Sequence, residues 1–168
     1  MSHHEHDHRE HVRELGELIR DVRIAMLTTT TREGRLVSRP LATQDVEFDG
    51  DLWFATGADS GKLEEIEANP RVNVAYANPT KNSYVSVSGT AFIVHDRARI
   101  DELWSPAMKV YFPEGKDDPN LRLIRVRAET AEYWDGPGSA VGKAFYLVSA
   151  AVTGDAGTMS ENERIDLR

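Results

Sequence analysis

The sequence predicts a mainly β fold of the α+β class, an antiparallel barrel or sandwich with a few flanking helices. Six or seven short segments rich in β-branched and aromatic residues are separated by turn residues, and helical periodicity is confined to a few stretches. Strands and helices do not alternate regularly, which excludes a parallel Rossmann sheet. A chain of 168 residues is expected to form one domain around one core.

In the N-terminal half, apolar residues at spacings of three and four predict the helices, and runs of alternating polarity predict the strands. These elements are a helix over 8–22, strands over 24–30, 36–43, 46–48 and 52–56, a helix over 62–68 and a strand over 71–78. Pro40 predicts an edge or a bulge, because proline cannot donate to a ladder, and Arg39 then faces the other side of the strand. Asp49 and Gly50 predict a hairpin turn between the third and fourth strands.

The same patterns divide the C-terminal half. They predict a strand over 83–95, a helix over 96–104, a helical stretch over 107–112, and strands over 121–127 and 129–134. Val85 and Val87 alternate with Ser86 and Ser88, so one face of the long strand is apolar and the other is rich in hydroxyls. Residues 142–152 are ambiguous, although their alanines favour a helix.

Composition limits the classes of function. A net charge of −8 argues against coating nucleic acid, which requires a basic surface. The absence of cysteine excludes disulfides, thiolate metal sites and thiol catalysis. No apolar run is long enough to span a bilayer, and the polar N-terminus lacks the apolar region of a signal peptide. The sequence therefore predicts a cytoplasmic protein that binds neither nucleic acid nor membranes.

Both termini differ in composition from the predicted domain, which covers residues 11–153. Residues 1–10 are polar and rich in histidine, and we expect them to be disordered. Histidines this dense can bind Zn²⁺ or Ni²⁺, but an unordered cluster forms no defined metal site, and a remnant of cloning is equally compatible. Residues 154–168 are predicted to form a polar tail, ordered only by a partner chain.

Residues 53–70, with the sequence WFATGADSGKLEEIEANP, are the most informative stretch. An apolar strand end leads through a small polar loop into a helix that stops before Pro70. The first N–H groups of a helix lack intrahelical acceptors and carry positive partial charge, which suits an anion. With the hydroxyl of Ser60 and the cation of Lys62 they predict a phosphate site. The spacing alone leaves open that Ser60 or Asp59 only caps the helix and Lys62 is solvated.

Other stretches accompany this motif in a fixed order. They are Ser38-Arg39-Pro40-Leu41, NSYVSVSG from Asn82 to Gly89, Asp101-Glu102-Leu103-Trp104, Tyr111-Phe112-Pro113-Glu114-Gly115 and EYWDGP from Glu132 to Pro137. The ordered set, over roughly residues 10–153, resembles the pyridoxamine-phosphate-oxidase-like flavin split barrels, and most closely their general stress protein branch. The resemblance implies an antiparallel split β-barrel of Greek-key type that binds FMN. It also implies a homodimer with each flavin in a groove between the chains.

The resemblance assigns site residues as well. Ser60 and Lys62 match the phosphate motif of the family, and Arg39 matches a strand arginine that holds cofactor oxygens. Further cofactor contacts fall on Pro40, Leu41, Ala42 and Thr43 beside the ring, Trp53, Phe54, Ala55 and Thr56 below the ribityl chain, Ser88 and Gly89 on the long strand, and Trp104 and Trp134 against the ring. Ordinary structural roles stay open for several of them: an exposed ion pair for Arg39, a solvent-facing Ser88 and core packing of the tryptophans.

In this family the chemistry belongs to the flavin, which the protein positions and tunes. The resemblance therefore implies an FMN-dependent oxidoreductase of unknown substrate, with NADH or NADPH as a small-molecule electron donor. No catalytic triad, carboxylate pair or Cys–His pair is present in the sequence, so no catalytic residue is assigned. A non-enzymatic flavin carrier or sensor fits equally well, and a binding module for another cofactor, such as a deazaflavin, haem or nucleotide, is a third alternative. The chain lacks the basic C-terminal segment of true pyridoxamine phosphate oxidases, which argues against pyridoxine phosphate as substrate.

Overall fold

The computed structural model describes residues 3–135 and 161–167 of the chain. The helices are α1 (His3–Ile19), α2 (Gly61–Ala68) and α3 (Arg97–Leu103), with 3-10 turns at Pro106–Val110 and Gly115–Asp117. The strands are β1 (Ile24–Thr30), β2 (Leu36–Ala42), β3 (Asp51–Gly57), β4 (Arg71–Asn78), β5 (Ser83–Val94), β6 (Leu121–Asp135) and β7 (Glu161–Asp166).

The described strands form one antiparallel sheet in the order β2-β1-β4-β5-β6-β3, with β7 paired to the second half of β6. The first half of β6 pairs with β3. Strands β2 and β3 therefore lie at the two ends of the main path, and the sheet curls into a half-barrel. Every strand pair that the structure describes is antiparallel, which confirms the predicted antiparallel class.

The hydrophobic core has one part on each face of the sheet. The inner face carries the main cluster, in which Leu27 and Val87 of the sheet and Leu15 of α1 are fully buried. The outer face of β3 and β6 carries a smaller cluster under α3, which contains Trp53 and Leu121. Each aliphatic side chain buried in this way contributes about 1.5–3 kcal/mol.

A register shift between β5 and β6 occurs at Ser88 and Gly89. A Cβ atom at residue 89 would overlap the backbone carbonyl oxygen of Arg127. Only glycine allows the two strands to approach this closely, because every other residue carries a Cβ. Gly89 thus fixes the bulge that lets one long β6 follow the curl of the sheet.

Several predicted elements are confirmed. Strands β1 and β4 have the predicted bounds, and α3 starts after Asp96, whose side chain accepts from the N–H of Arg99. Pro40 lies on β2, an edge strand, as predicted for a residue without a backbone donor. Arg39 is half-buried and the adjacent Pro40 is exposed, as the alternation of a strand requires.

The predicted hairpin around Asp49 and Gly50 is wrong. Residues 46–48 form no strand, and β3 pairs with β6 instead of its predecessor. The segment after β2 crosses between the two edges of the sheet, and Phe48 packs against the main core on the way. The carbonyl of Gly50 then accepts from the N–H of Ala128 at 2.9 Å, so β6 takes the place of the predicted hairpin partner.

The C-terminal half contains two smaller differences. The strands predicted over 121–127 and 129–134 are the single strand β6, because the bulge opposite β5 changes the register without ending the strand. The helical stretch predicted over 107–112 is the 3-10 turn Pro106–Val110.

The terminal segments differ from prediction as well. Helix α1 begins at His3, inside the stretch expected to be disordered, and ends at Ile19 instead of residue 22. Residues 161–166 of the predicted polar tail form β7, which pairs with β6 of the same chain. The element predicted over 142–152 lies outside the described residues. Within the part of the chain that the structure describes, no helix has the length and apolarity needed to cross a membrane.

Candidate functional site

Ser60 and Lys62, the two residues of the predicted phosphate motif, are in contact where β3 passes into α2. The ammonium of Lys62 donates to Ser60 Oγ at 2.5 Å and to Thr56 Oγ1 at 2.7 Å. Ser60 occupies the N-cap position, but its side chain makes no capping hydrogen bond. The structure therefore does not support a purely capping role for Ser60. Thr56, Ser60 and Lys62 together are called the cradle below.

The cation of the cradle is poorly neutralised. Burial is the main cause that lowers the pKa of Lys62, and the positive charge of Arg39 is the second, while Asp59 and Glu65 act in the opposite direction. Among the described side chains, hydroxyls are the hydrogen-bond partners of Lys62, and no carboxylate forms an ion pair with it. An anion that entered the cradle would relieve this electrostatic penalty, since opposite charge favours the ammonium form.

Arg39 lies beside the cradle in a second network. Its NH1 group donates to Thr29 Oγ1 at 2.7 Å, and its NH2 group lies 2.9 and 2.8 Å from the two carboxylate oxygens of Glu65. Thr29 is fully buried and donates to Glu65 Oε2 at 2.6 Å. The three side chains close a ring of charge-assisted hydrogen bonds, which is called the clamp below. The ion pair of Arg39 is thus half-buried, not the exposed cross-strand pair that the sequence left open.

The clamp joins the two edges of the half-barrel. Arg39 belongs to β2 at one end of the sheet, and Glu65 belongs to α2, which directly follows β3 at the other end. Glu65 lies one turn after Lys62 on α2, so the cradle and the clamp share one face of the helix. The structure therefore brings together four of the predicted cofactor-binding residues, Arg39, Thr56, Ser60 and Lys62.

The rest of the predicted β2 segment divides between the two faces of the sheet. Leu41 packs against the main core, whereas Pro40 and Ala42 are exposed on the outer face. Thr43 follows the strand, and its hydroxyl donates to the backbone carbonyl of Val22 at 2.7 Å. None of these four contacts the cradle in the described structure, so a ligand would meet them only through its more distant atoms.

The predicted residues of β3 also alternate between the faces. Phe54 and Thr56 are buried on the inner face. Trp53 and Ala55 lie against the outer cluster, and the guanidinium of Arg99 is 4.6 Å from the centroid of the Trp53 ring. Trp53 and Phe54 thus have core-packing roles in this chain, and of these four residues Thr56 alone extends its side chain into the cradle.

Ser88 and Gly89 line a different region, a cavity of about 1300 Å³ that is also lined by Val12 of α1 and by Leu167. None of the residues that line it belongs to the cradle or the clamp. Its floor includes Asn73, whose amide donates to Ser86 Oγ at 2.8 Å and to Ser88 Oγ at 3.2 Å. The predicted hydroxyl-rich face of β5 is therefore confirmed, with an amide of β4 as its partner.

The two tryptophans expected against the ring lie at opposite ends of β6. Trp104 ends α3 and packs against the outer cluster that includes Leu121, the first residue of β6. Trp134 is half-buried near the last residue of β6, opposite Tyr84. Within one chain the structure does not bring them together.

Sequence reasoning missed Glu65, Thr29 and Asn73. Glu65 is three residues after Lys62, a spacing that places both on one helical face and could have drawn attention to it. Thr29 and Asn73 gave no signal, because each hydrogen-bonds to side chains on other elements of the fold. Among the residues that the structure describes, no group of three or more histidine, aspartate or glutamate side chains could hold a metal ion.

Comparison with known proteins gives the family. The family described as Pyridoxamine 5'-phosphate oxidase like matches residues 10–157, which is most of the chain. The chain belongs to this pyridoxamine 5'-phosphate oxidase-like family. It is 30% identical to protein bli-3 of Neurospora crassa over 92% of this chain and 78% of that protein. General stress protein 26 of Bacillus subtilis is 33% identical over 46% of this chain and 57% of the relative.

Solved structures give the same fold. A Clostridium acetobutylicum protein related to general stress protein 26 superposes with a TM-score of 0.70 at 20% identity, covering 94% of this chain and 95% of that one. The general stress FMN/FAD binding protein of Xanthomonas citri is 27% identical, with a TM-score of 0.66 over 76% of this chain and 89% of that one. The half-barrel is therefore the split barrel of the pyridoxamine 5'-phosphate oxidase-like family, and general stress proteins are among the relatives that this chain resembles.

Proposed function

We propose that the protein binds FMN and acts as a cytoplasmic FMN-dependent oxidoreductase. The contact of the Lys62 ammonium with Ser60 and Thr56, at the start of α2, carries the proposal. A partly buried cation held by neutral hydroxyls suits the terminal phosphate of a flavin mononucleotide. The Xanthomonas citri relative, a general stress FMN/FAD binding protein, is consistent with this chemistry.

The residues at the cradle fit a phosphate monoester. The Ser60 hydroxyl accepts from Lys62 and keeps its own hydrogen for a ligand oxygen. The N–H of Leu63 donates to the backbone carbonyl of Ser60 at 3.0 Å, but the Ser60 side chain does not cap α2, so the N–H groups of Gly61 and Lys62 remain available to an anion. Arg39, held by the clamp, adds positive charge nearby, as its effect on the pKa of Lys62 shows.

A second copy of the chain would complete the site. Pro40, Ala42 and Ser88, all assigned to the flavin by the resemblance, are exposed on the outer face of the sheet and not at the cradle. The same face exposes large apolar side chains, namely Ile24, Met26, Leu36 and Tyr84. An apolar face of this kind favours association with another protein surface. We therefore propose a homodimer in which the cradle of one chain and the outer face of the other meet around each flavin.

When bound, FMN supplies hydride and single-electron chemistry. The roles of this chain are to bind the phosphate through Lys62 and Ser60, to orient the cofactor through β2 and β3, and to exclude water at the dimer groove. The proposed electron donor is NADH or NADPH, which reaches the site as a freely diffusing substrate.

Native mass spectrometry of the protein as purified tests the proposal directly. We expect two FMN per dimer, a flavin absorption spectrum, and bleaching of that spectrum by NADH or NADPH under anaerobic conditions. A different bound mass, such as that of a deazaflavin or haem, would identify that molecule as the cofactor instead of FMN. Bound FMN that no nicotinamide donor reduces would instead support the carrier or sensor function. A colourless protein that ignores added FMN would overturn the proposal altogether.

A further inference from the structure

Arg39 and Lys62 place two positive charges beside each other in the ligand-free site. Two cations, Arg39 and Lys62, lie close enough for the charge of one to lower the pKa of the other. In a partly buried site this repulsion would drive the two side chains apart before any phosphate arrives. Glu65 forms an ion pair with Arg39, and its negative charge also acts to raise the pKa of Lys62.

The contacts of Glu65 fix the position of the guanidinium. Both carboxylate oxygens lie within 2.9 Å of the NH2 group of Arg39, and one of them also accepts from the buried hydroxyl of Thr29. The side chain of Glu65 is 16% exposed and that of Arg39 27% exposed, so solvent screens the pair only in part. Arg39 is thereby held at three points by two neighbours.

The clamp leaves donors of Arg39 unused. A guanidinium carries five N–H groups, and the contacts to Thr29 and Glu65 engage its two terminal nitrogens. The Nε–H and the second N–H of NH1 remain for another acceptor. Glu65 therefore does not remove Arg39 from the site, but restricts where its free donors can be.

We propose that Glu65 is a positioning residue of the phosphate site, which holds Arg39 beside Lys62 so that the two cations act together on one phosphate. The inference rests on the proposed binding of FMN. On this view the negative charge of Glu65 favours phosphate binding, whereas simple repulsion between carboxylate and phosphate would weaken it. The same carboxylate offsets the positive charge of the ligand-free site, so Arg39 is already in position beside Lys62 before the ligand binds.

The experiment compares FMN with riboflavin, which lacks only the phosphate, on wild-type protein and on Glu65→Ala, Glu65→Gln and Glu67→Ala. Glu67 is an exposed acidic residue of the same helix and controls for the lost charge. We expect Glu65→Ala to weaken FMN about fivefold to tenfold, the loss typical of one misplaced charged hydrogen bond, with riboflavin affinity unchanged. Glu65→Gln keeps an acceptor oxygen and should recover part of the loss, while Glu67→Ala should have no effect.

A double-mutant cycle tests whether Glu65 acts through Arg39. In an Arg39→Lys background, which removes the planar fork, Glu65→Ala should weaken FMN by less than twofold. Several outcomes would overturn the inference. Tighter FMN binding in Glu65→Gln would mean that Glu65 competes with the phosphate. An equal loss of FMN and riboflavin affinity in Glu65→Ala would mean that Glu65 has only a structural role. FMN affinity in Glu65→Ala equal to that of Glu67→Ala would also overturn it. Wild-type protein that binds neither flavin would contradict the proposed function instead, which keeps the two failures apart.

Discussion

The ammonium nitrogen of Lys62 lies 2.5 Å from the hydroxyl oxygen of Ser60, at the first turn of α2. Thr56 on β3 accepts from the same ammonium at 2.7 Å, so the cation is fixed from both sides of the loop that joins strand and helix. The charge is in place before any ligand binds, and a phosphate would not have to order a freely rotating lysine.

Lys62→Ala should therefore weaken FMN about tenfold or more, because a charge-assisted contact to phosphate contributes roughly 1.5–3 kcal/mol. Riboflavin should bind wild type and variant equally. Fluorescence quenching of the flavin on titration with protein measures both dissociation constants. Lys81→Ala is the matched control, since Lys81 forms an exposed ion pair with Asp21 that contributes little. Unchanged FMN affinity in Lys62→Ala would remove Lys62 from the phosphate site.

The affinity for FMN should fall at high pH. Burial and Arg39 lower the pKa of Lys62 below its ordinary value of 10.5, so in the free protein the ammonium loses its proton earlier than an exposed lysine does. Phosphate binding favours the charged form, and the affinity therefore decreases as the pH rises through this lowered pKa. Lys62→Arg stays charged over the whole range, so its profile should show only the titration of the flavin itself. Identical pH profiles for wild type and Lys62→Arg would contradict this assignment.

The cradle could be predicted from the sequence because it is local. Ser60 and Lys62 are two residues apart at the start of a helix, so their proximity can be predicted without the tertiary structure. Arg39 and Glu65 are 26 residues apart, and their contact depends on which edges of the sheet meet. The resemblance supplied Arg39 as a cofactor residue, but the clamp that holds it required the strand order.

The same contrast explains the fold. Bounds of β1, β4 and α3 follow from short-range alternation and capping, and were predicted well. Asp49 and Gly50 carry a strong local hairpin signal, yet β3 pairs with β6, more than sixty residues further along the chain. Burial of the inner face decides that pairing, and a two-residue turn signal contributes too little free energy to oppose it.

Acid should destabilise the wild-type protein more than Glu65→Gln. Hydrogen bonding from Thr29 is the first cause that lowers the pKa of Glu65 below 4.5, with further lowering by Arg39. A carboxylate with a lowered pKa in the folded state stabilises the protein above its unfolded pKa, and this stabilisation is lost as the pH falls through the folded pKa. Urea unfolding at neutral pH and near pH 3 measures the effect. The wild type should be the more stable protein at neutral pH, and the difference should shrink in acid; a constant difference would contradict the assignment.

Gly89→Ala should strongly destabilise the sheet. The new Cβ would overlap the carbonyl oxygen of Arg127, a backbone atom of the adjacent strand that cannot rotate away. We expect a loss of roughly 3 kcal/mol or more in the free energy of unfolding. Gly61→Ala is the matched control, because a Cβ at that first residue of α2 meets no atom within 4 Å. That control should leave stability unchanged or raise it by about 0.5 kcal/mol. Equal stability of the two variants would show that the bulge accommodates a side chain.

Met26→Lys should dissociate the proposed homodimer and weaken FMN with it. Met26 lies on β1, a central strand, and 38% of it is exposed on the outer face. Across a two-fold axis the substitution would bury charge against an apolar surface, which should raise the dimer dissociation constant at least about tenfold. Light scattering coupled to size-exclusion chromatography measures the mass. Val110→Lys is the control, because Val110 is 80% exposed on the 3-10 turn that packs over β3 and β6, at the other end of the sheet from β1. A dimer that survives Met26→Lys but is lost in Val110→Lys would move the interface to the turn after α3.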